Sequence, residues 1–180
     1  MSGPVLVVGF GDFPGVVNNP AGRLAQAVGA LPGEPSIEGA VIPVSFRRGL
    51  DETAALVAAL RPLAILGVGV AVSRSQASLE RWGRPPRPGM RDVDGEAAGS
   101  APGVPRRSAW ADELAPQLGV GLSEDAGDYV CNAWLFGALG AWAELVPVGF
   151  LHIPAGGFPA EALAAGLRRW YGARAPRSMT

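Results

Sequence analysis

The fold is decided by the stretch VLVVGFGDFPGVVNNPAGRLAQAVGA, residues 5–30. Residues 5–8 form a short apolar run, rich in β-branched side chains, that ends at Gly9, which is typical of a buried parallel strand. Residues 21–30 follow an Asn-Pro pair and have the apolar spacing of a short helix. The stretch therefore predicts one strand–loop–helix unit.

The same alternation continues along the chain. Residues 37–44 alternate as a second strand, residues 51–60 form a helix opened by acidic side chains, and residues 63–66 form a third buried strand. The later predictions are a helix at 108–118, a short strand near Val120, a strand at 128–130 running into a helix at 132–145, a strand at 147–153 and a helix at 160–171. This order predicts an α/β fold, a single three-layer αβα domain over residues 1–180 with a mostly parallel, twisted, open sheet.

One segment breaks the pattern. Residues 83–105 are rich in proline, glycine and arginine and show no periodicity. We expect a long Pro/Arg-rich loop there, either an active-site flap or a disordered excursion.

The composition excludes several kinds of protein. With 15 basic and 16 acidic residues among 180, the net charge of −1 gives no general attraction for nucleic acid or an anionic membrane. All the basic residues are arginine, which excludes a P-loop lysine and a Schiff-base lysine. One cysteine and one histidine form neither a disulfide nor a Cys/His metal cluster. The first residues lack a signal-peptide pattern, and no apolar run approaches the roughly 18 residues of a membrane span, so we expect a cytoplasmic protein.

The single cysteine and the single histidine both follow predicted strands. Cys131 comes after the strand predicted at 128–130, and His152 lies at the end of the strand predicted at 147–153. Ligands of parallel α/β sheets bind beyond the carboxyl ends of the strands, so both side chains are candidates for one site. A thiol at a helix N-terminus near an imidazole is favoured as thiolate, which suits acyl transfer. Alone, each residue is more often a buried core residue, and their joint placement is what supports the hypothesis.

Several short motifs occur in collinear order: Gly-Phe-x-x-Phe at 9–13 with NPA at 19–21, PVS at 43–45, SLER at 78–81, GDYVCN at 127–132 and FLHIP at 150–154. Together they resemble the motifs of pyroglutamyl peptidase I, the pyrrolidone carboxyl peptidases. GDYVCN resembles that family's nucleophile motif, FLHIP its histidine motif, and SLER the segment that supplies its catalytic carboxylate.

The resemblance implies a cysteine peptidase that removes N-terminal pyroglutamate (5-oxoproline) from peptides and needs no cofactor or metal. It implies Cys131 as nucleophile, His152 as general base and then acid, and Glu80 as the carboxylate that orients the imidazole. From the sequence pattern alone, Glu80 is as readily a solvent-exposed charge. The family often forms homo-oligomers, so the resemblance also implies a homo-oligomer. The balanced charge and the lack of a long apolar run lead us to expect no nucleic acid and no membrane as partners.

The resemblance further implies the residues that bind the substrate. Phe10 and Phe13 match the family's aromatic walls, Val130 is a further pocket candidate, and Arg91 matches an arginine near the active site that assists the oxyanion or holds the loop. For the phenylalanines core packing is an alternative, and the arginine run around residues 81–91 has the alternative of a solvated face.

The sequence departs from the family in three places. Residues 68–72 read VGVAV where glutamine and small residues are common, residues 92–95 read DVDG in place of a Pro-Asp-Asn run, and Ala133 replaces a frequent histidine. These departures put substrate contacts and the loop geometry in doubt and leave the proposed triad intact.

Two alternatives stay open. A thiol amidase acting on another small acyl group would use the same thiol and base. A non-catalytic nucleotide-binding module is suggested by VVGFG at residues 7–11, although glycines at 9, 11 and 15 miss the G-x-G-x-x-G spacing.

Overall fold

The computed structural model of the chain describes residues 3–100 and 102–174. The remaining positions of the predicted 1–180 domain, which are residues 1–2, 101 and 175–180, lie outside the described residues. The elements follow in this order: β1 (Val5–Phe10), α1 (Pro20–Gly29), β2 (Ile37–Ile42), α2 (Arg48–Leu60), β3 (Ala64–Val70), β4 (Ser78–Glu80), β5 (Trp82–Gly83), β6 (Arg106–Arg107), α3 (Ala109–Leu118), β7 (Gly121–Ser123), α4 (Val130–Trp142), β8 (Val148–Ile153) and α5 (Ala160–Arg174).

Six strands form one sheet in the order β2-β1-β3-β8-β4-β7, and β5 pairs with β6 separately. Every pairing in the large sheet is parallel except that of β4 with β8. The prediction of a mostly parallel α/β sheet is therefore confirmed, with one antiparallel junction that the pattern does not reveal.

Helices cover both faces of the sheet. Because side chains alternate along a strand, Val5 and Val7 of β1 enter one core while Leu6 and Val8 enter the other. The first core lies under α1, α3 and α5, and the second lies under α2 and α4. The result is the predicted three-layer arrangement.

Glycines let α1 lie directly on the sheet. A β-carbon at Gly9 would lie 2.1 Å from the carbonyl oxygen of Ala21, and one at Gly39 would lie 1.8 Å from that of Ala25. Both distances are far below van der Waals contact, so neither position accepts a side chain without moving the helix. Helix packing thus explains Gly9, the first glycine of the VVGFG stretch, without any ligand.

The strand predicted at 128–130 is wrong. Gly127 adopts a left-handed φ of 80°, and its N–H donates to Oδ1 of Asp125 at 3.0 Å, so the chain turns here. Helix α4 then begins at Val130, two residues earlier than predicted, and Cys131 is its second residue. Cys131 therefore follows a loop, not a strand.

The Pro/Arg-rich segment is packed against α4 at both of its ends. At the first end, a β-carbon at Gly83 would lie 2.6 Å from the backbone nitrogen of Phe136, and the Asn132 side chain makes two hydrogen bonds of 2.8 and 3.0 Å with the backbone of Arg84. At the other end, Arg106 donates to the carbonyl of Phe136 at 2.7 Å. Pairing of β5 with β6 joins the two ends.

Replacement of Gly39 by alanine tests the contact between α1 and β2. We expect Gly39→Ala to lower the free energy of unfolding by about 1–3 kcal/mol because its new methyl group overpacks against Ala25. The measurement is urea denaturation followed by circular dichroism. Gly121→Ala in β7 is the matched control, since a β-carbon there meets nothing within 4 Å; equal stability of the two variants would contradict the close approach.

Candidate active site

Glu80 and His152 meet on neighbouring antiparallel strands. Ser78 of β4 lies opposite His152 of β8, so Glu80, two residues further along, points to the same face of the sheet. Oε1 of Glu80 lies 2.7 Å from Nδ1 of His152. Glu80 is fully buried and His152 is 5% exposed. The alternative of a solvent-exposed charge at Glu80 is therefore wrong.

Cys131 lies beside this pair on the same face. A β-carbon at Gly69 of β3 would lie 2.8 Å from Sγ of Cys131, and Gly69 is paired with His152 across the sheet. The sulfur thus occupies the space that a side chain at position 69 would fill, next to strand β8, which carries His152. Among the described residues, the structure contains no hydrogen bond between Sγ and the imidazole.

Burial of the Cys131 sulfur favours the protonated thiol over the thiolate. Burial raises the pKa of Cys131 to about 12, and the negative charge of Glu80 acts in the same direction. The N–H of Cys131 itself and the charge of Arg74 act in the opposite direction and are outweighed. The helix N-terminus therefore favours thiolate, as expected, but desolvation is the larger effect and the net shift of the Cys131 pKa is upward.

Arg74 is a site residue that the sequence analysis misses. It lies in the loop between β3 and β4, and its Nη1 donates to Oε1 of Glu80 at 2.6 Å and also to Oγ of Ser78. Its Nη2 donates to the carbonyl of Asp125 at 2.8 Å and to Oγ of Ser123 at 3.3 Å. Its position six residues before Glu80 is a signal that the sequence offers, but the more prominent arginine run that follows obscures it.

The predicted pocket residues differ in exposure. Phe10 is 2% exposed and packs with its ring centroid 6.2 Å from that of Phe150, so it belongs to the core, as does Val130 at 1%. Phe13 is half-buried, and its ring lies 6.5 Å from that of Tyr129. Of the three apolar candidates, Phe13 is the one with appreciable exposed surface.

Two further aromatic residues flank the cysteine helix. Tyr129 directly precedes α4, and the ring of Phe46 meets it edge-on at 5.7 Å. Phe13, Phe46 and Tyr129 form what we call the aromatic cluster. The sequence analysis does not identify Tyr129 or Phe46 as site residues. Tyr129 lies within the GDYVCN motif, and Phe46 directly follows PVS.

The structure does not bring Arg91 to the thiol or the imidazole. Its exposed guanidinium donates to the carbonyl of Gly95 within its own loop. Its backbone carbonyl accepts a hydrogen bond from the Tyr129 hydroxyl at 3.0 Å. Arg91 therefore contacts the aromatic cluster through its backbone.

Asp92 fixes the Pro/Arg-rich segment beside the aromatic cluster. Its Oδ2 accepts from the N–H of Phe46 at 2.8 Å, and its Oδ1 accepts from the N–H groups of Asp94 and Glu96 at 2.9 Å each. Burial acts to raise the pKa of the Asp92 carboxyl, but these N–H donors outweigh burial and lower it. Arg48 adds a two-point ion pair to Asp94, at 2.6 and 2.8 Å.

Comparison with known proteins shows what the chain is similar to. It is 31% identical to the pyrrolidone-carboxylate peptidase of Deinococcus radiodurans over 179 aligned positions, covering 89% of this chain and 82% of that protein. It is also 31% identical to that of Cupriavidus pinatubonensis, covering 83% and 77%. The crystal structure of pyroglutamyl peptidase I from Bacillus amyloliquefaciens shares the fold, with a TM-score of 0.78 and 22% identity over 93% of this chain and 92% of that chain. No protein-family model matches the chain.

Conversion of Asp92 to asparagine tests how the Pro/Arg-rich segment is held. We expect Asp92→Asn to loosen it, because an amide NH₂ in place of one carboxylate oxygen leaves a backbone donor such as that of Phe46 without an acceptor. Trypsin reports the change, since Arg91 offers a cleavable bond whereas Arg84 and Arg87 each precede proline. Cleavage after Arg91 should become faster by about tenfold, with global stability nearly unchanged.

The matched control for this test is Glu96→Gln, which removes one negative charge from the same exposed segment and leaves the Asp92 carboxylate in place. Equal cleavage rates in both variants would show that Asp92 is not the anchor.

Proposed function

The chain belongs to the pyrrolidone-carboxylate peptidase family, and we propose on that basis that it removes N-terminal pyroglutamate from peptides. In this proposal it is a hydrolase of the omega-peptidase type, with Cys131 as nucleophile, His152 as base and acid, and Glu80 as orienting carboxylate. The observation that carries the proposal is the buried 2.7 Å contact between Oε1 of Glu80 and Nδ1 of His152. His152 pairs with Gly69 of β3, the residue against which the sulfur of Cys131 lies.

Acylation begins with proton transfer from the thiol. Because burial holds the pKa of Cys131 at about 12, the imidazole of His152 takes the proton as sulfur bonds to the pyroglutamyl carbonyl carbon. The C–N bond then breaks, and the leaving amine receives that proton from His152. The product of this half-reaction is a thioester on Cys131 and a free shortened peptide.

Deacylation reverses the roles of the groups. His152 takes a proton from water as the oxygen attacks the thioester, and it returns the proton to sulfur as pyroglutamate leaves. Over both half-reactions, one peptide bond is hydrolysed by one water molecule, which gives free pyroglutamate and the shortened peptide. The start of α4 suits the developing oxyanion, since Tyr129 provides no side-chain cap for its N–H groups.

Glu80 sets the tautomer of the base. A carboxylate at Nδ1 favours the imidazole with hydrogen on that nitrogen, which leaves Nε2 free to accept the thiol proton. The same carboxylate stabilises the imidazolium that forms during each half-reaction.

The aromatic cluster is the proposed wall for the lactam ring. Pyroglutamate has no ammonium group, so its pocket requires flat apolar walls and a few hydrogen-bonding groups, with no counter-ion. In this proposal Phe13 provides the wall, Phe10 and Val130 support it from the core, and Arg91 belongs to the segment that covers it.

The other predictions from sequence stay predictions. These are the homo-oligomer, the cytoplasmic location and the absence of nucleic-acid or membrane partners. Among the described residues, no helix combines the length and apolar character needed to cross a membrane. Packing of α1 explains Gly9 without a nucleotide, so this glycine does not favour the nucleotide-binding alternative.

Hydrolysis of a pyroglutamyl arylamide tests the proposed function. We expect the wild type to release the arylamine and Cys131→Ser to reduce kcat by at least about a thousandfold, because the thioester cannot form. A panel of acetyl, glycyl and prolyl arylamides distinguishes the reaction from that of a thiol amidase with another small acyl group. A folded wild type that leaves every pyroglutamyl substrate intact would remove the assignment.

Shortening of Phe13 tests the pocket. We expect Phe13→Ala to raise KM for the pyroglutamyl arylamide about tenfold with a smaller change in kcat, since apolar contact with the lactam is lost. Val17→Ala is the control, because Val17 lies in the same loop and is 84% exposed. Kinetics that are the same for both variants would exclude Phe13 from the pocket.

A further inference from the structure

The orientation of Glu80 depends on two contacts at a single oxygen. Oε1 of Glu80 contacts both Nη1 of Arg74, at 2.6 Å, and Nδ1 of His152, at 2.7 Å. Oε2 is buried and, within the part of the chain that is described, has no hydrogen-bond partner. No hydrogen bond from the described residues fixes the carboxylate at Oε2, so among hydrogen bonds its orientation rests on the two contacts at Oε1.

Arg74 also reaches the segment that leads into the cysteine helix. Nη2 donates to the carbonyl of Asp125, and the side chain of Asp125 in turn accepts from the N–H of Gly127. Gly127 is the turn from which the chain enters α4, where Cys131 is the second residue. One guanidinium thus contacts both the carboxylate partner of the base and the loop that places the nucleophile.

We propose, building on the function proposed above, that Arg74 is a positioning residue of the active site. It holds Glu80 against His152 and fixes the loop before Cys131 to the same point.

The other charged groups near this point have partners of their own. The carboxylate of Asp125 lies 3.6 Å from Nη1 of Arg84, and Glu124 is paired with Arg81 at 2.7 Å. Arg81 is also paired with Asp112 on α3 at 2.7 Å. The described charges that act directly on the imidazole are therefore those of Glu80 and Arg74, with the thiol of Cys131 on the facing helix.

Two variants of Arg74 and one control make the test. We expect Arg74→Met to lower kcat for a pyroglutamyl arylamide by about 100-fold with little change in KM, because the reacting groups lose alignment while the pocket is kept. Arg74→Lys should restore part of kcat, since an ammonium keeps the charge but cannot make all the contacts. Arg84→Met is the control, because Arg84 bonds to the carbonyl of Glu124 in the same loop but not to Glu80.

The single histidine gives a second readout that needs no activity. His152 provides the one imidazole signal of the chain, so proton NMR follows its environment without assignment. We expect the imidazole chemical shifts at one fixed pH to differ between Arg74→Met and wild type, because the carboxylate at Nδ1 changes its position, and to be unchanged in Arg84→Met.

The outcomes separate the two proposals. Equal losses of kcat in Arg74→Met and Arg84→Met, with the imidazole chemical shifts of wild type in both variants, would show that Arg74 only holds the loop and would overturn the inference. A wild type without activity would overturn the proposed function, while the imidazole chemical shifts would still decide the role of Arg74. If Arg74→Met does not fold, Arg74→Lys is compared with Arg84→Met by the same two measurements.

Discussion

A carboxylate with no access to water needs compensating partners, and Glu80 imposes this requirement on the whole site. Its partners arrive from two directions: the imidazole of His152 from the neighbouring strand, and the guanidinium of Arg74 from the preceding loop. Both depend on the pairing of β4 with β8, which sets Ser78 opposite His152 and so places Glu80 on the same face of the sheet. The one antiparallel junction in the sheet is therefore the feature that assembles this cluster.

The α/β class could be predicted because its signals are local. Residues 5–30 show strand, loop and helix through β-branched side chains and a helix start, and these are the elements that the structure contains. Strand β4 has only three residues and owes its position to pairing with β8, which no local pattern shows. Tyr129 and Val130 are residue types that favour strands. In the structure, the chain turns at Gly127 and α4 begins at Val130, so neither residue lies in a strand.

The candidate site was predictable only in part. Cys131 and His152 stand out because each occurs once, whereas Glu80 is one of 16 acidic residues and was identified through the family resemblance alone. Arg74 was missed because its one local signal is the spacing from Glu80, and its second partner, the carbonyl of Asp125, lies 51 positions further along the chain. The aromatic cluster was missed for the same reason, since Phe46 and Tyr129 meet only in the folded protein. The raised pKa of Cys131 likewise reflects burial that no linear motif encodes.

The bare backbone at Gly69 has a consequence for recognising active members of this family by sequence. The sulfur occupies volume that any side chain at this strand position would fill. A relative with alanine at this position would retain the nucleophile, the base and the carboxylate and would match every motif. It would still be a pseudoenzyme, because the methyl group displaces the thiol. A search for active members of this fold therefore has to check for glycine at the position of Gly69 as well as for the three reactive side chains.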